Sequence, residues 1–408
     1  MATPQTPPLA LPSYAYMVFV LGALACLGPF TIDAYLPAFG AIGREFDQSR
    51  QAVQSTLGYY MLAYAVTTLF HGTLSDSFGR RRVLIVALSL YSVGALTAAL
   101  APSFEWLVIG RILQGLSAGA GMIVGQAIVN DCYKGAVAQR TMSYIIMVFS
   151  VSPALAPIIG GYLAAGIGWR SIFFAMLGLA LATIVLCVRG LPETLLLESR
   201  HRFSFVTLIR NMKLVLRDRF FLGYSLAAAT LFAGFGFMIG AAHDFVTEVL
   251  ALPDTAFGYL FIPLVVGMVS GSFTAARLAQ RVSGPHLIAL GYGVAGSAAL
   301  FSLIYNGLAS QTSIPGGVLP LGVYALGLTL AFPSITLTVL RRAPAFAGTA
   351  ASLLNFVEMT IFSIASGWGV VLVYGSAWKL ALALTTATAL SALFWWCVHR
   401  AEHRPANA

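Results

Sequence analysis

Three ionisable residues stand inside long apolar stretches of this chain: Asp33, Arg111 and Glu358. A charge in hydrocarbon is costly, so such residues mark function more often than surface charges do. Burial disfavours the ionised form of a carboxylate, and a neighbouring guanidinium favours it. A movement that alters either influence loads or releases a proton. Asp33 and Arg111 each stand about 10 Å below the same membrane face, at 1.5 Å per residue. Equal depth and opposite sign make them candidates for a pair, either a static salt bridge or a proton-coupling site. Arg111 has a further option in Gln114 or backbone carbonyls. Glu358 lies near the middle of its stretch, with Asn355 one turn away. It can carry a second proton, anchor a cation, or sit protonated against a neighbouring helix. Tyr35, Tyr60, Tyr64, Gln126, Phe235, Met238, Asn355 and Met359 are candidates for the wall of a binding cavity. Tyr60 and Tyr64 share one helix face, and Phe and Met give an adaptable apolar lining. Each of them serves equally well as a packing residue.

These residues need a membrane scaffold to hold them. Hydrophobic residues make up 59% of the chain and charged ones 9%. Mean hydropathy is +0.85. Soluble domains carry about a quarter of their residues as charges. Twelve apolar stretches run near 15–38, 51–72, 83–101, 104–129, 141–165, 168–188, 220–243, 256–278, 286–306, 317–340, 347–373 and 378–398. Each approaches the length of about 20 residues that a spanning helix needs. The predicted fold is an all-α membrane protein with twelve transmembrane helices in two six-helix bundles. The predicted divisions are a tail at 1–14, a bundle at 15–188, a polar linker at 189–219, a bundle at 220–399 and a tail at 400–408.

The net charge of +9 reflects short basic loops, so nucleic acid is not an expected partner. Arg80, Arg81, Arg82, Lys134, Arg140, the linker arginines, Arg277, Arg281, Arg341, Arg342, Arg400 and Arg404 fall at one end of the spans. Only Arg44, Arg50, Arg170 and Lys379 fall at the other. The positive-inside rule then puts the first end, with both termini, in the cytoplasm. Residues 1–13 have no basic run, so the first stretch is expected to remain as a span rather than a cleaved signal. Cys26, Cys132, Cys187 and Cys397 form no CxxC pair and read as packing residues.

The segment Gly72 to Arg82 carries the densest motif. Gly79 permits a tight reversal. Asp76 can cap a helix N-terminus. Arg80 can pair with a carboxylate at the end of a neighbouring helix, and Asp131 is the candidate. By itself this is a basic topogenic loop or a charge latch that holds one conformation. Gly72, Leu74, Asp76, Gly79, Arg80 and Arg81 resemble the loop signature of the major facilitator superfamily, with Ser77 where that family usually has a basic residue. The resemblance implies the latch. Gly271 to Arg281 sits at the matching place after the eighth stretch and suggests an internal repeat, as expected for a transporter built from two related bundles.

Arg111, Gln114 and Gly115 are similar to the RxxQG motif of the drug:proton antiporter branch. Pro153, Pro157, Gly160 and Gly161 resemble its antiporter motif, with Ala156 in place of a glycine. Such residues let helices bend and pack closely. Leu191-Pro-Glu-Thr194 is a further family-like ending. Thr31-Ile-Asp-Ala-Tyr-Leu-Pro37 and Ala347 to Ser352 resemble the Bcr/CflA group of bicyclomycin- and chloramphenicol-resistance pumps. This resemblance implies a monomeric inner-membrane exporter that exchanges small drug molecules for protons, without a cofactor.

A transporter of one metabolite, such as a sugar, organic acid or amino acid, is the competing reading on the same fold. A membrane enzyme lacks support: the sequence has no HExxH, no GxSxG and no His/Cys cluster of metal-ligand spacing. No Walker-type loop offers ATP as the direct energy source. Nothing resembles the filter of a channel.

Overall fold

The computed structural model describes residues 12–195, 198, 200 and 202–402. The outer parts of both predicted tails, Arg404, and linker positions 196, 197, 199 and 201 lie outside the described residues. The chain is helical almost throughout. Its helices are α1 (Tyr14–Asp33), α2 (Phe39–Glu45), α3 (Arg50–Phe78), α4 (Arg80–Ala99), α5 (Phe104–Cys132), α6 (Gly135–Gly166) and α7 (Arg170–Gly190). They continue as α8 (Phe205–Leu216), α9 (Arg219–Asp244), α10 (Gly258–Leu278), α11 (Gly284–Leu308), α12 (Leu319–Arg341), α13 (Ala347–Gly367) and α14 (Ala377–Glu402).

Eleven helices are long and apolar enough to cross a membrane, with α1 and α2 counted as one. Their continuity is interrupted by a 3-10 turn at Leu36–Ala38, where Pro37 has no N–H to give an α-helical ladder. The remaining long helix, α3, has 29 residues but too many hydroxyls to pass on hydropathy. It packs between α5 and α13, so its polar side chains meet protein. Several satisfy themselves on their own backbone: Thr56 donates to Val53 O at 2.6 Å, Thr67 to Ala63 O at 3.0 Å and Thr68 to Ala65 O at 2.7 Å. Self-satisfied hydroxyls are tolerated at membrane depth.

Helix packing contains a repeat that the sequence barely hints at. A Cβ on Gly94 of α4 would lie 2.8 Å from Gly110 O of α5, and a Cβ on Gly110 would lie 2.8 Å from Gly94 O. Gly291 of α11 and Gly327 of α12 repeat this reciprocal approach, again at 2.8 Å from Gly327 O. Glycine pairs of this kind let helix backbones touch. The register they set is informative. The residue after the α5 glycine is Arg111, and the residue after the α12 glycine is Leu328. Four positions on stand Gln114 and Ala331.

The polar linker contains an unanticipated helix, α8. Ser204 accepts the Thr207 N–H at 3.2 Å as its cap. Leu208, Met212 and Val215 are buried at helical spacing, on α13 and α9. The Phe205 ring stacks on Phe70 of α3 at 6.3 Å.

Helices α1–α7 meet helices α9–α14 chiefly through α3 on α13 and α6 on α10. Contact is tight at the end remote from the termini. A Cβ on Gly367 would lie 2.5 Å from Gly58 Cα. Gln54 Nε2 donates to Ser366 O at 2.6 Å, and Ser363 Oγ donates to Gly58 O at 2.8 Å. Arg50 pairs with Asp244 and, at 2.7 Å, with Glu248. Among the described residues these are the ion pairs that join the two groups of helices, and both lie at this remote end. At the end carrying the termini, a cleft of about 240 Å³ separates Thr73, Asp76 and Ser77 of α3 from Arg202, Ser204 and Thr349. A cleft of about 470 Å³, lined by Arg44, Asp47, His243 and Asp254, lies between the two groups at the remote end as well, so what is closed there is the α3–α13 seam.

Candidate proton and cargo site

Arg111 is fully buried, with 0% exposure. Gly115, one turn on, is what makes its surroundings possible. A Cβ there would occupy the place of the Tyr60 carbonyl oxygen, so α3 comes close enough for Tyr60 to reach Arg111. The guanidinium lies 4.4 Å from the centre of the Tyr35 ring and 4.4 Å from that of Tyr60. Nη1 donates to Gln114 Oε1 at 3.0 Å and to Thr31 O at 3.3 Å. Nε and Nη2 have no hydrogen-bond partner among the described residues. The rings are held in turn: Tyr35 OH and Thr56 Oγ1 lie 2.9 Å apart, and the Thr31 and Tyr91 hydroxyls share a hydrogen bond. A desolvated cation–π contact is worth about 2 kcal/mol. Two such faces offset much of the several kcal/mol that burying an ion costs.

This arrangement corrects two expectations. Arg111 and Asp33 form no ion pair among the described residues, although both are buried, Asp33 with 4% exposure. The reason is helical phase. Thr31 meets Arg111, and Asp33 lies two residues further on, about 200° around α1. The second correction concerns Tyr35 and Tyr60. Both are completely buried against the guanidinium, so neither ring faces an open cavity in this state. Tyr64, one turn beyond Tyr60, lies beside Gly119 of α5. Gln126 is exposed on α5.

The Gly72–Arg82 segment is mostly helix rather than loop. Gly72 and Asp76 belong to α3, and Gly79 alone separates α3 from α4, with φ +98°. Asp76 therefore caps no helix N-terminus; it accepts a hydrogen bond from Arg80 at the end of α3. Glu193, beyond α7, takes the capping role instead, its Oε1 accepting the Arg80 N–H at 2.8 Å. Arg80 Nε donates to Asp131 Oδ2 at 3.1 Å, and Thr194 Oγ1 donates to the same oxygen at 3.0 Å. Arg81 Nε donates to Cys187 O at 3.2 Å. The Leu191–Thr194 ending thus completes a polar knot at the ends of α3, α4, α5 and α7.

On α6, Pro153 and Pro157 lie inside the helix. Gly160 abuts the Ala34 backbone of α1, and a Cβ on Gly161 would lie 2.5 Å from Asp254 O. In the second group of helices, Phe235 packs with Phe232 at 5.6 Å and with Phe362 at 6.1 Å. Met238 is buried, and Met359 is half-buried beside Glu358. Glu358 is 6% exposed. Its Oε1 and Asn355 Oδ1 have no partner among the described residues.

Sequence reasoning missed Asp244 as a buried charge, because it stands at the end of its stretch and reads as a loop residue. Its exposure is only 3%, and it also accepts the Gly375 N–H at 2.7 Å. The available signal was Asp244 and Glu248 one helical turn apart, at the same level as Arg50.

Residues 18–367 match the family described as Major Facilitator Superfamily. The chain is 29% identical over 358 residues to the "Bicyclomycin resistance protein homolog" of Haemophilus influenzae, covering 85% of this chain and 87% of the relative. It is 26% identical over 382 residues to "Multidrug resistance protein D" of Escherichia coli, covering 93% and 94%. Among solved structures, a peptide transporter POT in complex with alafosfalin superposes with a TM-score of 0.77 at 15% identity, covering 98% of this chain and 96% of that one. With its all-helical scaffold, its paired glycine registers and a family match across most of its length, this chain belongs to the Major Facilitator Superfamily.

Proposed function

We propose that the protein exports drug-like small molecules in exchange for protons, by alternating access between two six-helix halves at 15–188 and 220–399. The linker 189–219 joins them. The termini and the basic end face the cytoplasm of a cell with an inner membrane, and the working unit is a monomer. The observation that carries the reading is the buried charge chemistry of one half alone. Arg111 is enclosed by rings and left with free donors, Asp33 is a buried carboxylate on the adjoining helix α1, and the repeated position of Arg111 holds Leu328. Asp33 is the proton carrier in this scheme. Rocking that brings Arg111 or a cationic cargo nearer favours the ionised form, and movement away favours the protonated one. The Arg80–Asp131–Glu193 knot holds one conformation, and the antiporter-motif residues Pro153, Pro157, Gly160 and Gly161 shape the α1–α6 contact. Similarity to a bicyclomycin resistance protein homolog and to Multidrug resistance protein D supports drug molecules as cargo.

The energetics suffice. One charge crossing 100 mV is worth about 2.3 kcal/mol, and about 1.4 kcal/mol is tenfold in concentration. The test uses everted membrane vesicles from a pump-deficient host, with an acid interior and a pH-sensitive dye. Adding ethidium should drive proton release in wild type and none in Asp33→Asn, with equal protein inserted. Ethidium uptake that survives collapse of the proton gradient would overturn the reading.

A further inference from the structure

The first half shows what aromatic rings and side-chain oxygens hold when they meet in this fold. Around Arg111, two tyrosine rings, a carbonyl oxygen and the Gln114 amide oxygen enclose a cation. The second half assembles the same kinds of group, and among the described residues no ion pair reaches the carboxylate they include.

The placement follows from helix register. Helices α9 and α13 run in the same direction. A Cβ on Gly240 would lie 2.7 Å from Ser366 O, and one on Gly236 would lie 3.1 Å from Phe362 O. One turn back on each helix brings Phe232 level with Glu358. The Phe232 ring lies 5.3 Å from Phe362 and 5.5 Å from Phe332. Glu358 and Phe362 are buried on one stripe of α13 at i, i+4 spacing. Asn355 stands one turn before Glu358. Its Oδ1 and Glu358 Oε1 are buried and without hydrogen-bond partners among the described residues. Both atoms are acceptors, and an aromatic face is also electron-rich. Where Arg111 stands in the first half, the repeat has Leu328, so no guanidinium answers these groups. A carboxylate more than nine-tenths buried, with an oxygen that has no hydrogen-bond partner among the described residues, is complementary to a donor cation.

We propose that Glu358, Asn355 and the Phe232, Phe235 and Phe362 rings form a subsite in the second half that takes the ammonium or amidinium group of an organic cation. The subsite supplies from the ligand the positive charge that Arg111 supplies in the first half. As a cargo site it rests on the export reading; as a binding site it does not. It separates charge recognition in the second half from proton handling at Asp33 in the first.

The test is equilibrium binding to the purified full chain in lipid nanodiscs at fixed pH, without any gradient. Ethidium is the cationic probe and chloramphenicol the neutral one. Glu358→Gln preserves shape and removes only the charge. It should weaken ethidium at least about tenfold, the weight of one charge contact of about 1.4 kcal/mol, and leave chloramphenicol within about twofold. Phe362→Leu should weaken ethidium about threefold or more through the lost ring face, and it provides the reading should Glu358→Gln fail to fold. Wild-type chain that does not bind ethidium, unchanged ethidium affinity in both variants, or equal loss of both probes would each overturn the proposal. Glu358-dependent binding without gradient-driven export would sink the export reading and leave the subsite standing. Export and ethidium affinity that both ignore Glu358 would do the reverse.

Discussion

Substitution of Gly367 by alanine is the sharpest probe of alternating access. The new Cβ would lie 2.5 Å from Gly58 Cα, whereas carbon atoms rest at about 3.5–4.0 Å. Helices α3 and α13 must therefore part by about 1 Å at the remote end. Two hydrogen bonds span that seam, Gln54 to Ser366 O at 2.6 Å and Ser363 to Gly58 O at 2.8 Å. Lengthened by about 1 Å, both leave the range of a real hydrogen bond. Each contributes about 1 kcal/mol net, and stranding the buried Gln54 amide adds about 1–3 kcal/mol. The cost falls only on the state with this seam closed, so the equilibrium moves toward the opposite state by about 3–5 kcal/mol, or about 150- to 4000-fold. Spin labels at Asp47 and Ser310, in a background lacking the native cysteines, would report the width of the remote end by electron–electron distance measurement. A broad shift to longer distances is expected, with slower drug export. An unchanged distance distribution with a correctly folded variant would refute the assignment of this seam as a gate.

Asp244→Asn keeps an acceptor for the Gly375 N–H but loses the charge facing Arg50. With Arg50 43% exposed, the pair is worth about 1 kcal/mol. The same label pair should move toward the open distance about fivefold, and less at high salt. Arg111→Lys should lower gradient-driven ethidium export about tenfold or more, because a compact ammonium cannot face two rings and two acceptors together; rates equal to wild type would dissociate the ring sandwich from transport. Gly79→Ala places an L-residue at φ +98° and a Cβ against the Glu193 carboxylate. It should destabilise the folded chain by about 1–3 kcal/mol, read as a lower melting temperature in detergent.

The scaffold was legible in the sequence because lipid imposes a length and a composition on every crossing. The basic residues and the Gly72–Arg82, Arg111–Gly115 and Ser152–Gly161 motifs were likewise plain. Depth along the membrane could be counted as well, since rise per residue is fixed, and Arg111 does reach the level of Thr31. Azimuth could not be counted without knowing which face α1 turns to α5. That single unknown decided that Arg111 meets Tyr35 and Tyr60 and forms no ion pair with Asp33, whereas Gln114, three residues on along the same helix, was legible from spacing. The same limit hid Glu193 as the cap of α4 and Asp244 as a buried partner of Arg50. Each contact joins residues far apart in the chain, and no local pattern encodes it. The three charges in apolar stretches were therefore determined by sequence alone. Their neighbours were decided only when glycine-lined helices came to backbone contact and fixed which side chains share a space.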